Sequence, residues 1–347
     1  MTRKKLLNAL QYIFFLGLGV FLLWLSARSL SPENRQQLVI SLKGANYLLV
    51  VLPMLILLLA HYTRALRWKI LIQPLGYVPS SINTFFATML GYFFNMMVPR
   101  LGEVMKCTML ARYEKIPADK LIGTMVTERI VDALCLLIVF AITIITQFDI
   151  ISGYTSAKLS IILYDAEGNL KLFKIALILL VSGTLVLLFA WILKRNASSP
   201  AVKKISSVLK GIWAGITSIA RLKNKWLFIA QSILIWVLYI LSVKAGFYTM
   251  QEVKHLDIGA CFSIISLGSV AMIATPGGIG AYQYFIQELL PLYGIAKGPA
   301  LGFGWILWLA QTGIAIFGGL ICLILLPLVN RNKHEISRAD KKQNINT

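Results

Sequence analysis

The sequence predicts an all-α polytopic membrane protein with six full spans and two re-entrant helical hairpins, arranged as an inverted repeat. Three observations lead to this fold class: an apolar composition, recurring apolar stretches of spanning length, and two similar segments that each end at a proline. Hydrophobic residues make up 58% of the 347 residues and charged residues only 14%, with a mean hydropathy of +0.75. Soluble domains carry about 25% charged residues, so the composition places the chain in a membrane.

Apolar stretches long enough to cross about 30 Å of hydrocarbon, roughly 20 residues each, recur along the chain. The first stretch differs from a cleavable signal peptide. Its apolar run is long, and no small-x-small site separates it from the charged SPENRQ segment. Six full spans are predicted, near 6–27, 45–66, 119–146, 172–193, 226–249 and 298–327.

Two segments, TFFATMLGYFFNMMVP at 84–99 and CFSIISLGSVAMIATP at 261–276, align without a gap. They share a phenylalanine, a Leu-Gly pair and the final proline, and a glycine-containing turn and a short helical pattern follow each. Paired broken helices at matching positions of two halves point to the substrate site of a transporter. The duplication predicts one repeat over about 46–146 and a second over about 223–323.

The distribution of Lys and Arg among the loops distinguishes two possible topologies. If both apolar arms, 81–98 and 258–275, crossed the bilayer, the 194–225 loop with its eight basic and no acidic residues would lie outside. That arrangement violates the excess of Lys and Arg in cytoplasmic loops. If each arm instead forms a re-entrant hairpin with its short partner, the 194–225 loop and the basic tail 331–347 are both cytoplasmic. We therefore predict a single membrane domain over 1–330, with both termini cytoplasmic and a polar cavity between two opposed hairpins.

The net charge of +20 comes from 34 basic and 14 acidic residues. The basic residues cluster beside the ends of the spans, where they meet anionic headgroups, so we predict membrane lipids as partners and no nucleic acid. The four cysteines show neither metal nor disulfide spacing. With no metal site, no cofactor motif and no nucleophile–histidine pair, the sequence predicts a protein that is not an enzyme.

The strongest polar constellation is TERIVD at 127–132, which precedes only 14 apolar residues. A span of about 20 residues draws Glu128, Arg129 and Asp132 to the depth of the inner leaflet. A charge near a helix centre costs about 2.5–3.5 kcal/mol on insertion scales, so these side chains need partners or water. Arg129 and Asp132 can pair at a spacing of three. Two interpretations stay open: a self-neutralising brace for the first hairpin, or contact with substrate.

The first hairpin contains NMMVPRLGEVMK at 95–106 and offers Asn95, Arg100, Glu103 and Lys106. A helix start with two cations beside it suits a phosphate group. The competing interpretation is an ordinary interfacial salt bridge, in which Glu103 pairs with Lys106.

The second hairpin contains TPGGIGAYQ at 275–283, in which Gly277, Gly278 and Gly280 open a short helix. Backbone N–H groups at a helix N-terminus, with no side chains to cover them, form a candidate binding site for an anion or a headgroup. A tight re-entrant turn requires the same glycines for packing alone.

The segment HYTRALRW at 61–68 puts Arg64 and Arg67 where the second span meets the cytoplasm. Anchoring by interfacial aromatic and basic residues explains most of this segment. The alternative is that His61 and Arg64 face the cavity.

Four ordered motifs together resemble the lysylphosphatidylglycerol synthase transmembrane family, the flippase-like integral membrane proteins of bacteria and archaea. The motifs are R-x-x-R-W at 64–68, N-x-x-x-P-R-x-G-E at 95–103, E-R-x-x-D at 128–132 and P-G-G-I-G at 276–280. In bifunctional members an aminoacyl-transferase domain follows the membrane domain. This sequence ends about 20 residues after its last predicted span, so the resemblance implies lipid translocation without lipid synthesis.

The resemblance implies a flippase in the cytoplasmic (inner) membrane of a prokaryote. It would move an amphipathic, anionic or aminoacylated lipid through a cavity between the two hairpins, without a cofactor. The alternative is a non-transporting membrane partner that binds lipid and supports a separate lipid synthase or glycosyltransferase. The motif residues predicted to contact substrate are Arg64, Arg67, Asn95, Arg100, Glu103, Lys106, Glu128, Arg129, Asp132, Gly277, Gly278 and Gly280.

Overall fold

The computed structural model describes residues 3–98, 101–148, 150 and 222–331, with the backbone alone over 3–13. Every regular element in these residues is a helix, which confirms the all-helical class. A π-helical stretch, Ile314–Gly318, joins the last two helices. Numbered in chain order, the α-helices are α1 (Arg3–Arg28), α2 (Pro32–Gly44), α3 (Val51–Ile72), α4 (Ser81–Met97), α5 (Leu101–Glu114), α6 (Ala118–Thr146), α7 (Lys225–Phe247), α8 (Ile258–Ala274), α9 (Ala281–Leu289), α10 (Lys297–Gly313) and α11 (Gly319–Val329).

Several of these helices are long and apolar enough to cross a membrane. A further span is available if α1 from Phe14 and α2, which meet at 105°, count as one broken span. The predicted span 172–193 lies outside the described residues. The chain is therefore a polytopic α-helical membrane protein. The four continuous spanning stretches, each at a predicted span, are Tyr47–Leu75, Ala118–Thr146, Lys225–Phe247 and Lys297–Val329.

The break between α1 and α2 has a local cause. Ser31 is the N-cap of α2, and its side chain accepts a hydrogen bond of 3.2 Å from the Asn34 N–H. Pro32 follows at the first helical position, where its missing N–H has no helical partner to lose. These residues start a new helix in a new direction.

The two apolar arms fold alike. Helix α8 begins and ends 177 residues after α4, and the residues that follow each helix, Val98 and Thr275, are both extended. Each of these two residues donates its backbone N–H to the carbonyl four residues earlier, Phe94 or Ala271. The similar sequences at 84–99 and 261–276 thus adopt the same local structure up to the break.

Helices α4 and α5 form the first hairpin, and a pair of glycines lets them approach closely. The Gly102 N–H of α5 donates to Asn95 Oδ1 of α4 at 2.9 Å. A Cβ atom on Gly102 would overlap the carbonyl oxygen of Gly91. Only glycine fits this contact, because the two backbones meet there without space for a side chain.

Helices α8 and α9 form the second hairpin, and the glycine turn between them is already hydrogen-bonded. Gly277, Gly278 and Gly280 all have positive φ, the region that favours glycine. Gly280 lies so close to Gly19 of α1 that a Cβ atom would overlap the Gly19 carbonyl. Packing alone therefore accounts for this glycine.

The two hairpins open at opposite ends of α3. At the C-terminal end of α3, Lys69 Nζ donates to Ser81 Oγ of α4 at 2.6 Å, and Asn83 of α4 bonds to Asn330 after α11. We call this the Asn330 end. At the start of α3, the Asn46 N–H donates to the Thr249 carbonyl after α7 at 2.8 Å. We call this the Asn46 end.

The second hairpin opens at the Asn46 end, where α2 also lies. Ser263 of α8 bonds to Tyr293 after α9 at 2.7 Å, and the Gly298 N–H of α10 donates to Asn34 of α2 at 3.3 Å. The two hairpins come together near their breaks, where the Met96 thioether of α4 lies against Gly277.

Candidate functional site

Two arginines of α3 converge on one carboxylate of α6. Arg64 Nη1 donates to Asp132 Oδ2, and Arg67 Nη2 lies 2.6 Å from Asp132 Oδ1. Their side chains are 7% and 0% exposed. Helix α7 completes the arrangement, since Tyr239 Oη accepts from Arg64 at 3.1 Å and Ser232 Oγ accepts from Arg67 at 3.3 Å. The spacing of three places both guanidinium groups on one face of α3.

Glu128 forms the second centre of the network, one turn before Asp132. Its carboxylate is 1% exposed and lies 2.7 Å from Lys106 Nζ of α5. Arg64 Nη1 and Arg67 Nη2 of α3 each lie 3.6 Å from Glu128 Oε1. The same ammonium group lies 4.0 Å from the centroid of the Trp68 ring, a cation–π contact. We call Arg64, Arg67, Lys106, Glu128 and Asp132 the charge network.

The charge network is not neutral. It contains three cations and two carboxylates, all of them largely buried. Arg129 and Glu103 form a separate ion pair at 3.3 Å, with exposed side-chain fractions of 43% and 22%. That pair adds no net charge, so among the described residues one positive charge remains in excess when each group is counted in its usual ionised form. Such an excess inside a bundle favours the binding of an anion.

A narrow cavity adjoins the charge network beside the first hairpin. Of the lining residues in the described part of the chain, three are cations and none is acidic. Two lining side chains keep polar atoms without a hydrogen-bond partner among the described residues, Arg64 Nε and the Tyr92 hydroxyl. The volume is about 10 Å³, close to the space for one water molecule. The lining residues are Arg64, Thr88, Gly91, Tyr92, Asn95, Gly102, Lys106 and Arg129.

The predicted site residues fall into four groups. Arg64, Arg67, Lys106, Glu128 and Asp132 meet in the charge network. Asn95, Glu103 and Arg129 lie at its rim, where Asn95 Nδ2 donates to Glu103 Oε1 at 3.2 Å. Arg100 lies outside the described residues. The three glycines of the second hairpin are absent from the cavity lining in the described part of the chain.

Two predicted pairings are wrong. Asp132 pairs with the arginines of α3 rather than with Arg129, and Lys106 pairs with Glu128 rather than with Glu103. The reason is that neighbouring helices supply better-placed partners than the same helix does. Arg129 follows Glu128 directly and therefore points to another side of α6, where Glu103 is its partner.

Two glycine N–H groups at the predicted anion site of the second hairpin already have acceptors. The Gly280 N–H donates to Gln283 Oε1 at 2.8 Å, and the Gly278 N–H donates to the Thr275 carbonyl at 3.0 Å. Trp308 Nε1 donates to the Gly277 carbonyl at 2.8 Å. These two N–H groups and the Gly277 carbonyl are therefore already hydrogen-bonded within the protein.

Sequence reasoning missed Tyr92 and Thr88, which line the cavity from α4. Tyr92 also stacks on His61 of α3, with ring centroids 4.2 Å apart. The sequence does contain a pattern that indicates them. Thr88, Tyr92 and Asn95 are spaced by four and three residues, which places them on one face of a helix. Among the residues that the structure covers, no group of three His, Cys, Asp or Glu side chains could hold a metal.

Comparison with known proteins supplies a family. Residues 12–319 match the family described as the lysylphosphatidylglycerol synthase TM region. The UPF0104 membrane protein MJ1595 of Methanocaldococcus jannaschii is 23% identical over 290 residues, which cover 80% of this chain and 82% of the relative. The UPF0104 membrane protein MJ1078 of the same organism is 24% identical over 246 residues, covering 69% of this chain and 95% of the relative. No solved structure gives a significant match.

Proposed function

The chain belongs to the lysylphosphatidylglycerol synthase transmembrane family, and from this premise we propose that it moves an amphipathic, anionic or aminoacylated lipid between leaflets. The cavity beside the first hairpin carries the proposal, because its lining includes Arg64, Lys106 and Arg129 and, among the residues that the structure describes, no acidic side chain. In this role the lipid phosphate binds these cations. The excess positive charge of the network supports this role, since a bound phosphate would compensate it.

The proposed transport unit is an inverted repeat of six spans with two re-entrant hairpins, a single domain over 1–330. The offset of 177 residues between α4 and α8 supports the duplication. The opposite openings of the two hairpins support the inversion. Irregular backbone inside a membrane is stable only where protein or a wet cavity surrounds it, and the burial of Gly278 and Gly280 in the second hairpin supports this arrangement.

We propose that Arg129 receives the phosphate first. Its side chain is the most exposed of the cations around the cavity, and its ion pair with Glu103 at 3.3 Å is replaceable. The cavity is nearly closed in this conformation, so passage of a headgroup requires the hairpin tips to separate. Such a separation would expose the site to one side of the membrane at a time. Many secondary transporters work by this alternating access around a central binding site.

The second candidate function is a non-transporting membrane partner that binds lipid and supports a separate lipid synthase or glycosyltransferase. The nearly closed cavity favours it, because a headgroup can bind at the rim of the cavity without passing through the bundle. In either role we expect no ATP hydrolysis by the chain itself, since its sequence has no nucleotide motif.

Lipid movement is the observable that separates these roles. We expect proteoliposomes of the purified full chain to accelerate the loss of fluorescence when an outer-leaflet quencher is added to vesicles with labelled phosphatidylglycerol. Protein-free vesicles and vesicles with an unrelated helical membrane protein are the controls. Normal lipid binding without acceleration for any tested headgroup would leave the partner role as the better account.

The proposed orientation has both termini in the cytoplasm of a prokaryotic cell, on the charge argument for 194–225. In a cysteine-free background, we expect Lys210→Cys and Glu335→Cys to resist an impermeant maleimide in intact cells. Ser156→Cys, in the loop predicted to face outward, should react and serves as the matched control. Strong labelling at position 210 or 335 would contradict the six-span topology.

A further inference from the structure

A second cavity lies at the Asn46 end of the bundle. Its volume is about 330 Å³, which is within the range of small-molecule sites. Helix α2, the 3₁₀ turn after α7 and the loop before α10 form its walls. Within the described ranges, the lining combines four hydrogen-bonding side chains with apolar groups and contains neither Lys nor Arg: Gln37, Ile40, Ser41, Glu252, His255, Gly294, Ile295, Ala296 and Pro299.

The polar side of this cavity is already organised around a carboxylate. Ser41, which is 4% exposed, donates its hydroxyl to Glu252 Oε1. This contact fixes the carboxylate and shows that it accepts a hydroxyl donor. Gln37 adds an amide that both donates and accepts, and His255 adds an imidazole.

The mixture of donors and acceptors selects among ligand classes. A phosphate finds no cation in this lining. An ammonium group has only donors, so it could use Glu252 but not the N–H groups of Gln37. A hydroxyl group both donates and accepts, and it matches each of these side chains. Ile40, Ile295 and Pro299 supply an apolar wall for the C–H faces of such a ligand.

We propose that this cavity binds a neutral, hydroxyl-rich group of the size of a glycerol or a monosaccharide unit. Two sources share this chemistry: the headgroup of a membrane lipid, and a free solute. This proposal is separate from the proposed lipid movement. Its test measures binding alone, so its outcome does not depend on whether the protein moves lipid.

The test is saturation-transfer NMR on the full chain in phosphatidylcholine nanodiscs, which carry no polyol headgroup. Methyl glucoside is the probe and ethanolamine is the cationic counter-probe. We expect saturation transfer to methyl glucoside. Gln37→Ala, which removes an exposed side chain, should weaken binding about threefold, and Glu252→Ala should weaken it about tenfold. Glu33→Ala, an exposed acid in the first turn of α2 outside the cavity, is the matched control and should change nothing.

Glu252→Gln separates hydroxyl recognition from charge recognition. The amide oxygen still accepts a hydroxyl, so we expect methyl glucoside binding within about threefold of the parent protein. A stronger response to ethanolamine that Glu252→Gln abolishes would overturn the proposal, as would absence of saturation transfer to methyl glucoside in the folded protein. Competition by added phosphatidylglycerol assigns the site to a lipid headgroup, and lack of competition assigns it to a free polyol; both results support the proposal.

Discussion

Glu128→Ala is expected to destabilise the protein by about 3–5 kcal/mol, the cost of removing one partner from a buried ion pair. The substitution leaves Lys106 without its carboxylate at 2.7 Å and leaves both guanidinium groups of α3 dependent on Asp132. Three buried cations would then share one anion. The free energy of unfolding in mixed micelles and the thermal midpoint measure the effect.

The control for this prediction is the double variant Lys106→Met, Glu128→Gln. It removes one charge of each sign and keeps the side-chain sizes, so the excess charge of the network is unchanged. Replacing both partners of a buried pair is often close to neutral, and we therefore expect the double variant to recover most of the lost stability. A double variant as unstable as Glu128→Ala would show that shape or hydrogen bonding, rather than unpaired charge, determines the cost.

The apolar arms were predictable from the sequence because their limits depend on local signals. The arms predicted at 81–98 and 258–275 agree with helices Ser81–Met97 and Ile258–Ala274 within one residue. Periodic apolar residues followed by a proline determine where such a helix ends. The helical class and most spans follow from the same reasoning.

The ion pairs were not predictable in the same way, because they depend on which helices are neighbours. Asp132 bonds to residues 65 and 68 positions away in the chain. The spacings of three and four identify neighbours within a single helix only. For this reason they indicated Arg129 as the partner of Asp132. The closed cavity also depends on packing, since the close approach of Gly102 and Gly91 narrows it.

Arg129 is the residue on which the proposed transport role depends most directly. It lines the cavity and remains 43% exposed, whereas the other lining cations are buried. An exposed ion pair contributes about 0–1 kcal/mol to stability, so Arg129→Gln should fold normally. A hydrogen bond to a charged group contributes about 1.5–3 kcal/mol. Loss of the proposed bond between the Arg129 guanidinium and the lipid phosphate should weaken phosphate binding by about that amount.

We therefore expect Arg129→Gln to lower the rate of lipid movement about tenfold or more, with the thermal midpoint nearly unchanged. Arg112→Gln is the matched control, because it removes the same charge from an exposed position of α5 outside the cavity lining. Leaflet-specific quenching and thermal unfolding are measured on the same preparations of both variants. If Arg129→Gln and Arg112→Gln move lipid equally fast, the phosphate does not pass Arg129. Arg64 and Lys106 would then be the remaining lining cations that could bind the phosphate, although both already contact Glu128.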